Sequence, residues 1–208
     1  MKIEIWSDFA CPFCYIGEKT LIKALKELNL ESNTDIEYKS FQLNPNATTQ
    51  KGKDINLLIA EKYGIPYDQA KASNNRIVNI AKQNDLNFDF DNIVPGNTGL
   101  AHELHKYSKT LNKDREITDV IFKAYFENGI DISDINQLIK LAVDTGINTE
   151  ELKDVLSKRI FANEVSQDQN FALQNNITSV PFFVINDKCT ISGAQTIEYF
   201  KEKLKEFV

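Results

Sequence analysis

Residues 3–17 read IEIWSDFACPFCYIG, and this stretch decides the fold. Its first four residues alternate in polarity, a pattern typical of a short strand. A CxxC pair follows, and from there to about Asn29 apolar residues recur with helical spacing. Pro12 fits the first helical position, because its missing N–H would have no intrahelical partner there. Cys11 is therefore predicted to be the N-cap of this helix.

A sulfur atom at a helix N-terminus lies beside unpaired backbone N–H groups and the positive end of the helix dipole. Both features favour the thiolate over the thiol. We therefore expect Cys11 to be the attacking nucleophile. Cys14, one turn further along, is expected to lie nearer the interior and to resolve a mixed disulfide formed at Cys11.

Two other interpretations of the cysteines stay open at this point. Cys11, Cys14 and Cys189 could bind zinc together with one histidine, although the second closely spaced ligand pair usual in structural zinc modules is missing. The cysteines could also be chemically inert. The position of the CxxC pair at the start of a helix favours redox chemistry, and we expect no bound metal.

Outward from this stretch, the chain alternates between strand and helix patterns. Residues 36–43 are rich in aromatic and β-branched residues and predict a second strand. From 54 to 157, helical patterns follow one another with no convincing strand between them. A helix over residues 164–176 then leads to a hairpin of two short strands, Phe182–Ile185 and Cys189–Ser192, and to a closing amphipathic helix.

This order predicts an α/β protein in which an all-helical domain interrupts a smaller α/β domain. Residues 1–50 would form the first half of the α/β domain (β-α-β), residues 51–160 the helical insert, and residues 161–208 the second half (α-β-β-α).

Composition and charge narrow the functional class. Of the 208 residues, 42% are hydrophobic and 26% are charged, values typical of a globular chain. The net charge of -6 and the scattered basic residues argue against nucleic acid as a partner. The longest apolar run, Val180–Ile185, is too short to cross a membrane. The N-terminal residues lack a secretory pattern, so we expect a cytoplasmic protein whose thiols are kept reduced.

Several motifs carry a resemblance to a known family. With these elements in place, the chain resembles the DsbA-like proteins of the thioredoxin superfamily, in which a helical domain is inserted into the thioredoxin fold, and within them the FrnE branch. The motifs are SDFACPFCYIG at 7–17, FQLNP at 41–45, NTGLAHEL at 97–104, YFENGIDISD at 125–134, VPFF at 180–183 and SGAQ at 192–195.

The resemblance implies dithiol–disulfide exchange through a mixed disulfide, as an oxidoreductase or isomerase acting on protein disulfides or, alternatively, small-molecule disulfides. Cys11 would be the nucleophile, Cys14 the resolving thiol and Pro181 a cis-proline beside the sulfur atoms. The backbone of Val180 would pair with a substrate chain as an added strand.

Three further residues are predicted to bind substrate. Pro12 and Phe13 would contact a partner peptide, and His102, in the AHxL motif, would face the groove above Cys11 and hold a substrate or a thiolate. DsbA itself has histidine where Phe13 stands, and a neighbouring imidazole makes that protein a strong oxidant. Without it, we expect a reduction potential more reducing than about -120 mV. In a reducing compartment the pair would then act as a reductase or isomerase.

Two other functions compete with this prediction. One is a glutathione-dependent transferase or isomerase of the kappa and 2-hydroxychromene-2-carboxylate isomerase type, whose members carry serine where Cys11 stands and do not need Cys14. The other is a non-enzymatic chaperone that binds unfolded peptides. We expect no resident cofactor, with glutathione open as reductant or co-substrate, and the sequence leaves the oligomeric state undetermined.

Overall fold

A computed structural model describes the whole chain, residues 1–208. It contains nine α-helices and four strands. In chain order these are β1 (Lys2–Ser7), α1 (Pro12–Glu27), β2 (Asp35–Ser40), α2 (Ile55–Tyr63), α3 (Tyr67–Lys82), α4 (Gly99–Thr110), α5 (Asp114–Phe126), α6 (Ile135–Val143), α7 (Thr149–Ser157), α8 (Ala162–Gln174), β3 (Phe182–Ile185), β4 (Cys189–Ser192) and α9 (Ile197–Lys205). None of these helices is both long and apolar enough to cross a membrane.

The chain divides into two compact units. The sheet unit comprises Met1–Leu43 and Ser166–Val208, and the helical unit comprises Asn44–Val165. The sequence predicts boundaries after residues 50 and 160, whereas the helical unit spans Asn44–Val165. The segment between Asn44 and residue 50 belongs to the helical unit because its backbone bonds there: the Gln50 N–H, for example, donates to the Pro95 carbonyl at 2.7 Å.

The four strands form one mixed sheet in the order β2-β1-β3-β4. Strands β1 and β2 run parallel, with Ile3 opposite Ile36, and β3 runs antiparallel to both β1 and β4. The hairpin of β3 and β4 has the predicted bounds. The α/β class and the thioredoxin fold interrupted by a helical segment are thereby confirmed.

The sheet unit buries apolar side chains on both faces of the sheet. On one face, α1 and α9 pack over the alternate residues of the strands; the buried side chains there include Ile3, Ile5, Leu21, Leu25, Phe183, Ile185, Phe200 and Leu204. A second cluster joins Trp6, Phe41, Ala172 and Ile177. There the Trp6 ring stacks on Phe171 of α8, with 5.8 Å between the ring centroids.

Strand β2 ends at Ser40, so the prediction that it reaches Leu43 is wrong. Side chains that are far away in the sequence accept hydrogen bonds from the backbone N–H groups at its end. The Ser40 N–H donates to the Asp168 carboxylate at 2.8 Å. The Leu43 N–H donates to the Asp8 carboxylate at 2.7 Å. Helix α1 ends at Glu27, within two residues of the predicted end at about Asn29.

The helical unit contains a buried aromatic and aliphatic core. Its fully buried side chains include Leu104, Ile117, Ile121, Phe122, Phe126, Leu138, Leu152 and Leu156. Several helices start at a side-chain cap; Asp134, for example, accepts the N–H of Asn136 at the start of α6.

Two glycines of the helical unit share a left-handed backbone, with φ of 62° at both Gly64 and Gly129. They differ in their surroundings. A Cβ atom at Gly64 would meet nothing within 4 Å, whereas one at Gly129 would collide with the carbonyl oxygen of Asn92. Gly129 therefore allows a close backbone approach, in addition to a turn that an L side chain rarely adopts.

Helix α4 carries polar side chains into the interior of the chain. Glu103 is fully buried, and its carboxylate accepts the Arg159 Nε–H at 2.5 Å. Burial raises the pKa of Glu103, and the paired guanidinium lowers it. Burial also holds the pKa of His105 well below its ordinary value, with smaller contributions from the positive charge of Lys106 and neighbouring groups. His105 is therefore a neutral imidazole in the folded chain.

Candidate active site

Cys11 is the N-cap of α1, as predicted, and Pro12 occupies the first turn. The backbone at Cys11 is extended (φ -96°, ψ 113°), and its N–H donates to the Asp8 carbonyl at 3.0 Å. The side chain is buried, with 5% of its surface exposed. No side-chain hydrogen bond caps the helix at Cys11, and as the N-cap residue Cys11 lies at the positive end of the α1 dipole.

Cys14 lies one turn into α1, and its side chain is 1% exposed. Burial raises the pKa of the Cys14 thiol well above its ordinary value, and contact with Cys11 raises it further. Two contributions act in the opposite direction and lower this pKa: the hydrogen bond from the Asp8 N–H, which lies 3.5 Å from the Cys14 sulfur, and a smaller one from the Ser7 side chain. Cys14 is thus the protonated, protected thiol of the pair.

Asp8 fixes the turn between β1 and α1. Its carboxylate, almost fully buried, accepts the N–H of Ala10 at 3.3 Å and the N–H of Leu43 at 2.7 Å. Its own backbone meets both cysteines, through the carbonyl to Cys11 and the N–H to Cys14. The carboxylate therefore holds the peptide groups that position the two sulfur atoms.

The Val180–Pro181 peptide bond is cis, as the resemblance implied. The Val180 carbonyl lies 3.6 Å from the Cys11 sulfur, which donates to it. The Pro181 carbonyl accepts the Gly193 N–H at 2.8 Å. Gly17 of α1 permits this arrangement, because a Cβ atom there would lie only 3.2 Å from the Pro181 ring. Cys11, Cys14, Val180 and Pro181 thus form one site.

Phe13 and Pro12 lie on the outer side of this site. Phe13 is 40% exposed although it stands between two buried cysteines, and Pro12 is half-buried. An exposed aromatic ring beside a reactive sulfur is an apolar surface that a peptide could cover. Their contact with substrate remains a prediction.

The remaining candidates lie away from the CxxC turn or in the other unit. His102 is buried on α4 of the helical unit, and its role toward substrate remains a prediction. Cys189 begins β4 opposite Ile185 and packs, partly buried, against the sheet core. No three His, Cys, Asp or Glu side chains meet in a group that could hold a metal ion, so the alternative zinc set is not assembled.

Ser7 is the residue that the sequence analysis missed. It is the last residue of β1, it is buried, and its side chain acts to lower the pKa of the Cys14 thiol. The alternation of side chains along β1 could have indicated it. Ser7 lies on the same face of the strand as Ile3 and Ile5, so its polar side chain points towards the core beneath the helix that carries the cysteines.

Comparisons with known proteins give a consistent family. Residues 2–205 match the family model of the DSBA-like thioredoxin domain. The crystal structure of a probable DsbA oxidoreductase from Streptomyces coelicolor is 30% identical, with a TM-score of 0.92, over 99% of this chain and 89% of that one. An uncharacterized Bacillus subtilis protein, YwbO, is 28% identical over 99% of this chain and 96% of its own length.

More distant structures share the fold. The cytosolic disulfide reductase DsbM from Pseudomonas aeruginosa has a TM-score of 0.67 at 13% identity, over 100% of this chain and 96% of that one. A 2-hydroxychromene-2-carboxylate isomerase has a TM-score of 0.73 at 15% identity, over 100% of this chain and 96% of that one. At these identities the likeness concerns architecture alone.

Proposed function

The chain belongs to the DSBA-like thioredoxin domain family, and from that premise we propose that it exchanges dithiols and disulfides at Cys11 and Cys14 on protein substrates, as a cytoplasmic reductase or isomerase. The observation that carries the proposal is the position of Cys11. This residue is the N-cap of α1, and its sulfur lies 3.6 Å from the Val180 carbonyl oxygen. A substrate sulfur that reaches Cys11 would lie near the Val180 backbone carbonyl and the exposed Phe13 ring.

The reaction runs in two balanced steps. The Cys11 thiolate attacks one sulfur of a substrate disulfide, forms a Cys11–substrate disulfide, and releases the other substrate sulfur as a thiolate. The Cys14 thiolate then attacks the Cys11 sulfur, forms the Cys11–Cys14 disulfide, and releases the second substrate thiolate. Overall, two electrons pass from the cysteine pair to the substrate, and the protons lost by the two cysteines reach the departing thiolates.

Substitution of the three cysteines tests this assignment. Cys11→Ser should abolish reduction of a disulfide-bonded protein such as insulin, because the nucleophile is lost. Cys14→Ser should instead accumulate covalent complexes with substrate, visible on non-reducing gels, because nothing resolves them. Cys189→Ser, the matched control, should retain wild-type turnover, since Cys189 lies on β4 away from the CxxC turn. Turnover that survives both Cys11→Ser and Cys14→Ser would refute the mechanism.

We further propose glutathione as the source of electrons that re-reduces the pair. A DsbM structure of the same fold was determined with glutathione, at 14% identity and a TM-score of 0.68. The fraction of reduced protein in a series of glutathione buffers gives the midpoint of the pair. A midpoint at or above a cytosolic poise of about -220 to -320 mV supports a pair held reduced in the cell. A midpoint far below that range contradicts glutathione as the electron source, because the pair would then stay oxidised against the glutathione pool.

The same samples separate the two competing functions. A transferase or isomerase of the 2-hydroxychromene-2-carboxylate type would conjugate or isomerise its substrate with glutathione in Cys14→Ser as fast as in the wild type. A chaperone would bind unfolded chains equally well after both active-site cysteines are replaced. Either result, with no disulfide turnover in the wild type, would replace the present proposal.

A further inference from the structure

The resolving thiol Cys14 is buried, and the two-step exchange leaves open how it becomes reactive. To attack the mixed disulfide it must lose its proton, yet only 1% of its surface is exposed. Burial disfavours the charged form of any thiol. A buried thiolate therefore needs a hydrogen-bond donor that is held in place at its sulfur.

The peptide group between Ser7 and Asp8 provides such a donor. Its N–H belongs to Asp8 and donates to the Cys14 sulfur at 3.5 Å. Its carbonyl belongs to Ser7 and accepts the Phe41 N–H at 3.0 Å. A peptide group that accepts a hydrogen bond at its oxygen is polarised and becomes a stronger donor at its nitrogen. The Phe41 N–H, this peptide group and the Cys14 sulfur thus form one chain of hydrogen bonds.

The Asp8 side chain holds the same peptide group from its other end. Asp8 is 1% exposed, and its carboxylate accepts the Leu43 N–H at 2.7 Å and the Ala10 N–H at 3.3 Å. Leu43 is 35 positions away, so the carboxylate ties the turn before α1 to the chain that follows β2. That part of the chain therefore holds the peptide group twice, once at its carbonyl and once through the Asp8 carboxylate. Rotation of the N–H away from the Cys14 sulfur would disturb both contacts.

The ionisable groups around Cys14 bring negative rather than positive charge. As a thiolate, Cys11 opposes a second negative charge, and that opposition ends once Cys11 is bound in the mixed disulfide. Glu18, one turn further along α1, is buried, and its carboxylate accepts the Tyr38 hydroxyl at 2.6 Å. The Asp8 carboxylate is itself an anion, which by charge alone disfavours a nearby thiolate. Its benefit to Cys14 therefore comes through the peptide group that it holds.

We infer that Asp8 is the positioning residue of the second step: its buried carboxylate keeps the Ser7–Asp8 peptide N–H directed at the Cys14 thiolate while that thiolate attacks the Cys11 sulfur of the mixed disulfide. The inference rests on the proposed function. In this step the Cys14–Cys11 bond forms, the bond from Cys11 to the substrate sulfur breaks, and the released substrate thiolate takes the proton that Cys14 lost.

Asp8→Asn tests the inference by the direction of its effect. The amide keeps the size of the side chain but has one acceptor oxygen, so it cannot hold both N–H groups. Resolution of the mixed disulfide should slow by about tenfold near neutral pH, and its pH profile should shift upward by about one unit, the scale of one hydrogen bond to a charged group. Loss of a nearby negative charge alone would speed resolution, because the Cys14 thiolate would form more readily.

Two further variants separate positioning from other roles. Asp168 accepts the Ser40 N–H at 2.8 Å, so Asp168→Asn makes the same chemical change at the same end of β2 and should resolve mixed disulfides at the wild-type rate. Leu43→Pro removes the N–H that the Asp8 carboxylate accepts but leaves the carboxylate, and the Leu43 side chain is 49% exposed. It should slow resolution as Asp8→Asn does. If the carboxylate itself took the Cys14 proton, Leu43→Pro would resolve at the wild-type rate.

The experiment uses full-length reduced protein, a disulfide-bonded peptide, acid quenching and mass spectrometry between pH 6 and pH 9. It records formation and decay of the Cys11–peptide adduct for each variant. Formation should change less than decay, because the Cys11 sulfur bonds to the Val180 carbonyl and not to Asp8. Slow decay in Asp8→Asn and Leu43→Pro, with wild-type decay in Asp168→Asn, supports the inference.

Three results overturn it: unchanged or faster decay in Asp8→Asn, wild-type decay in Leu43→Pro, or an equal slowing of both steps or of Asp168→Asn. If Asp8→Asn fails to fold, Leu43→Pro and Asp168→Asn decide the matter. A wild-type protein that leaves the peptide disulfide unreduced contradicts the proposed function instead.

Discussion

Phe13 is one of the two residues between the cysteines, and it places an uncharged ring where a charged side chain could act on the sulfur atoms. Its ring is 40% exposed and brings no charge to the sulfur atoms. Phe13→His should raise the reduction potential by about 30 mV or more, since an imidazolium stabilises the thiolate of the reduced pair and 30 mV corresponds to about 1.4 kcal/mol. Midpoints in glutathione buffers measure the shift.

The pH dependence of this shift in reduction potential tests whether the charge of the new imidazole causes it. Phe13→His should show a larger shift at pH 6, where an ordinary histidine is mostly protonated, than at pH 8. Phe13→Leu should stay at the wild-type midpoint at both values. An equal shift in both variants would assign the effect to packing, and the electrostatic explanation would then be wrong.

At the residue scale, local rules predicted the N-cap position of Cys11 but not the contacts around the cysteine pair. Pro12 in the first turn is enough to place Cys11 at the N-cap, because proline fixes its own φ and needs no N–H partner there. The influence of Ser7 on the pKa of Cys14 is not predictable from local rules, because it joins residues seven positions apart across a turn. The Asp8 carboxylate likewise accepts the N–H of a residue 35 positions away, Leu43, and local sequence rules do not predict such a contact.

Gly129, in the connection between α5 and α6, depends on the close approach of Asn92 in the connection between α3 and α4. Gly129→Ala places a methyl group against the Asn92 carbonyl and also strains a left-handed backbone. Gly64→Ala introduces the same strain in open space, at a cost of about 1–2 kcal/mol in the free energy of unfolding. Gly129→Ala should cost clearly more, because the backbone must move. Urea denaturation of the two variants compares them, and equal losses would contradict the close-approach argument.

The ends of a helix or strand can be predicted from the sequence where residues close by in the chain determine them. The hairpin of β3 and β4 was predicted with its observed ends, since a short turn and two apolar runs define it. The end of β2 was not predicted correctly, because the carboxylates of Asp168 and Asp8 accept hydrogen bonds from the backbone N–H groups there. Those carboxylates are far away in sequence, so periodicity carries no trace of them.

Acid should destabilise the whole molecule through His105. Its folded pKa is well below the ordinary 6.5, so below about pH 6.5 the unfolded chain binds a proton that the folded chain does not. The free energy of unfolding should therefore fall by about 1.4 kcal/mol between pH 7.5 and pH 5.5 from this group. Denaturation curves at both pH values measure it.

His105→Gln removes this titration and should show a smaller pH dependence by that amount. Glu103, whose raised pKa acts in the opposite direction, is present in both proteins and cancels in the comparison. Identical pH dependence in the two proteins would show that His105 is not the neutral buried group described above.

At the scale of the chain, the order of patterns predicted an α/β fold with a helical interruption, since strand and helix periods differ and can be read locally. The passage between the two units could not be read this way. Residues just after Leu43 have loop character in sequence, and only bonds such as that from Gln50 to Pro95 assign them to the helical unit.

The order of the strands has a consequence for the newly made protein. Strand β1 pairs with β3, but the whole helical unit is translated between them. At ordinary rates of synthesis, Val180 follows Cys14 from the ribosome by roughly 10–30 s. During that interval the nascent chain carries a complete thiol pair without the carbonyl beside Cys11 and without the central pairing of its sheet. A helper that shields those thiols, or a reducing cytoplasm, would matter most before translation ends.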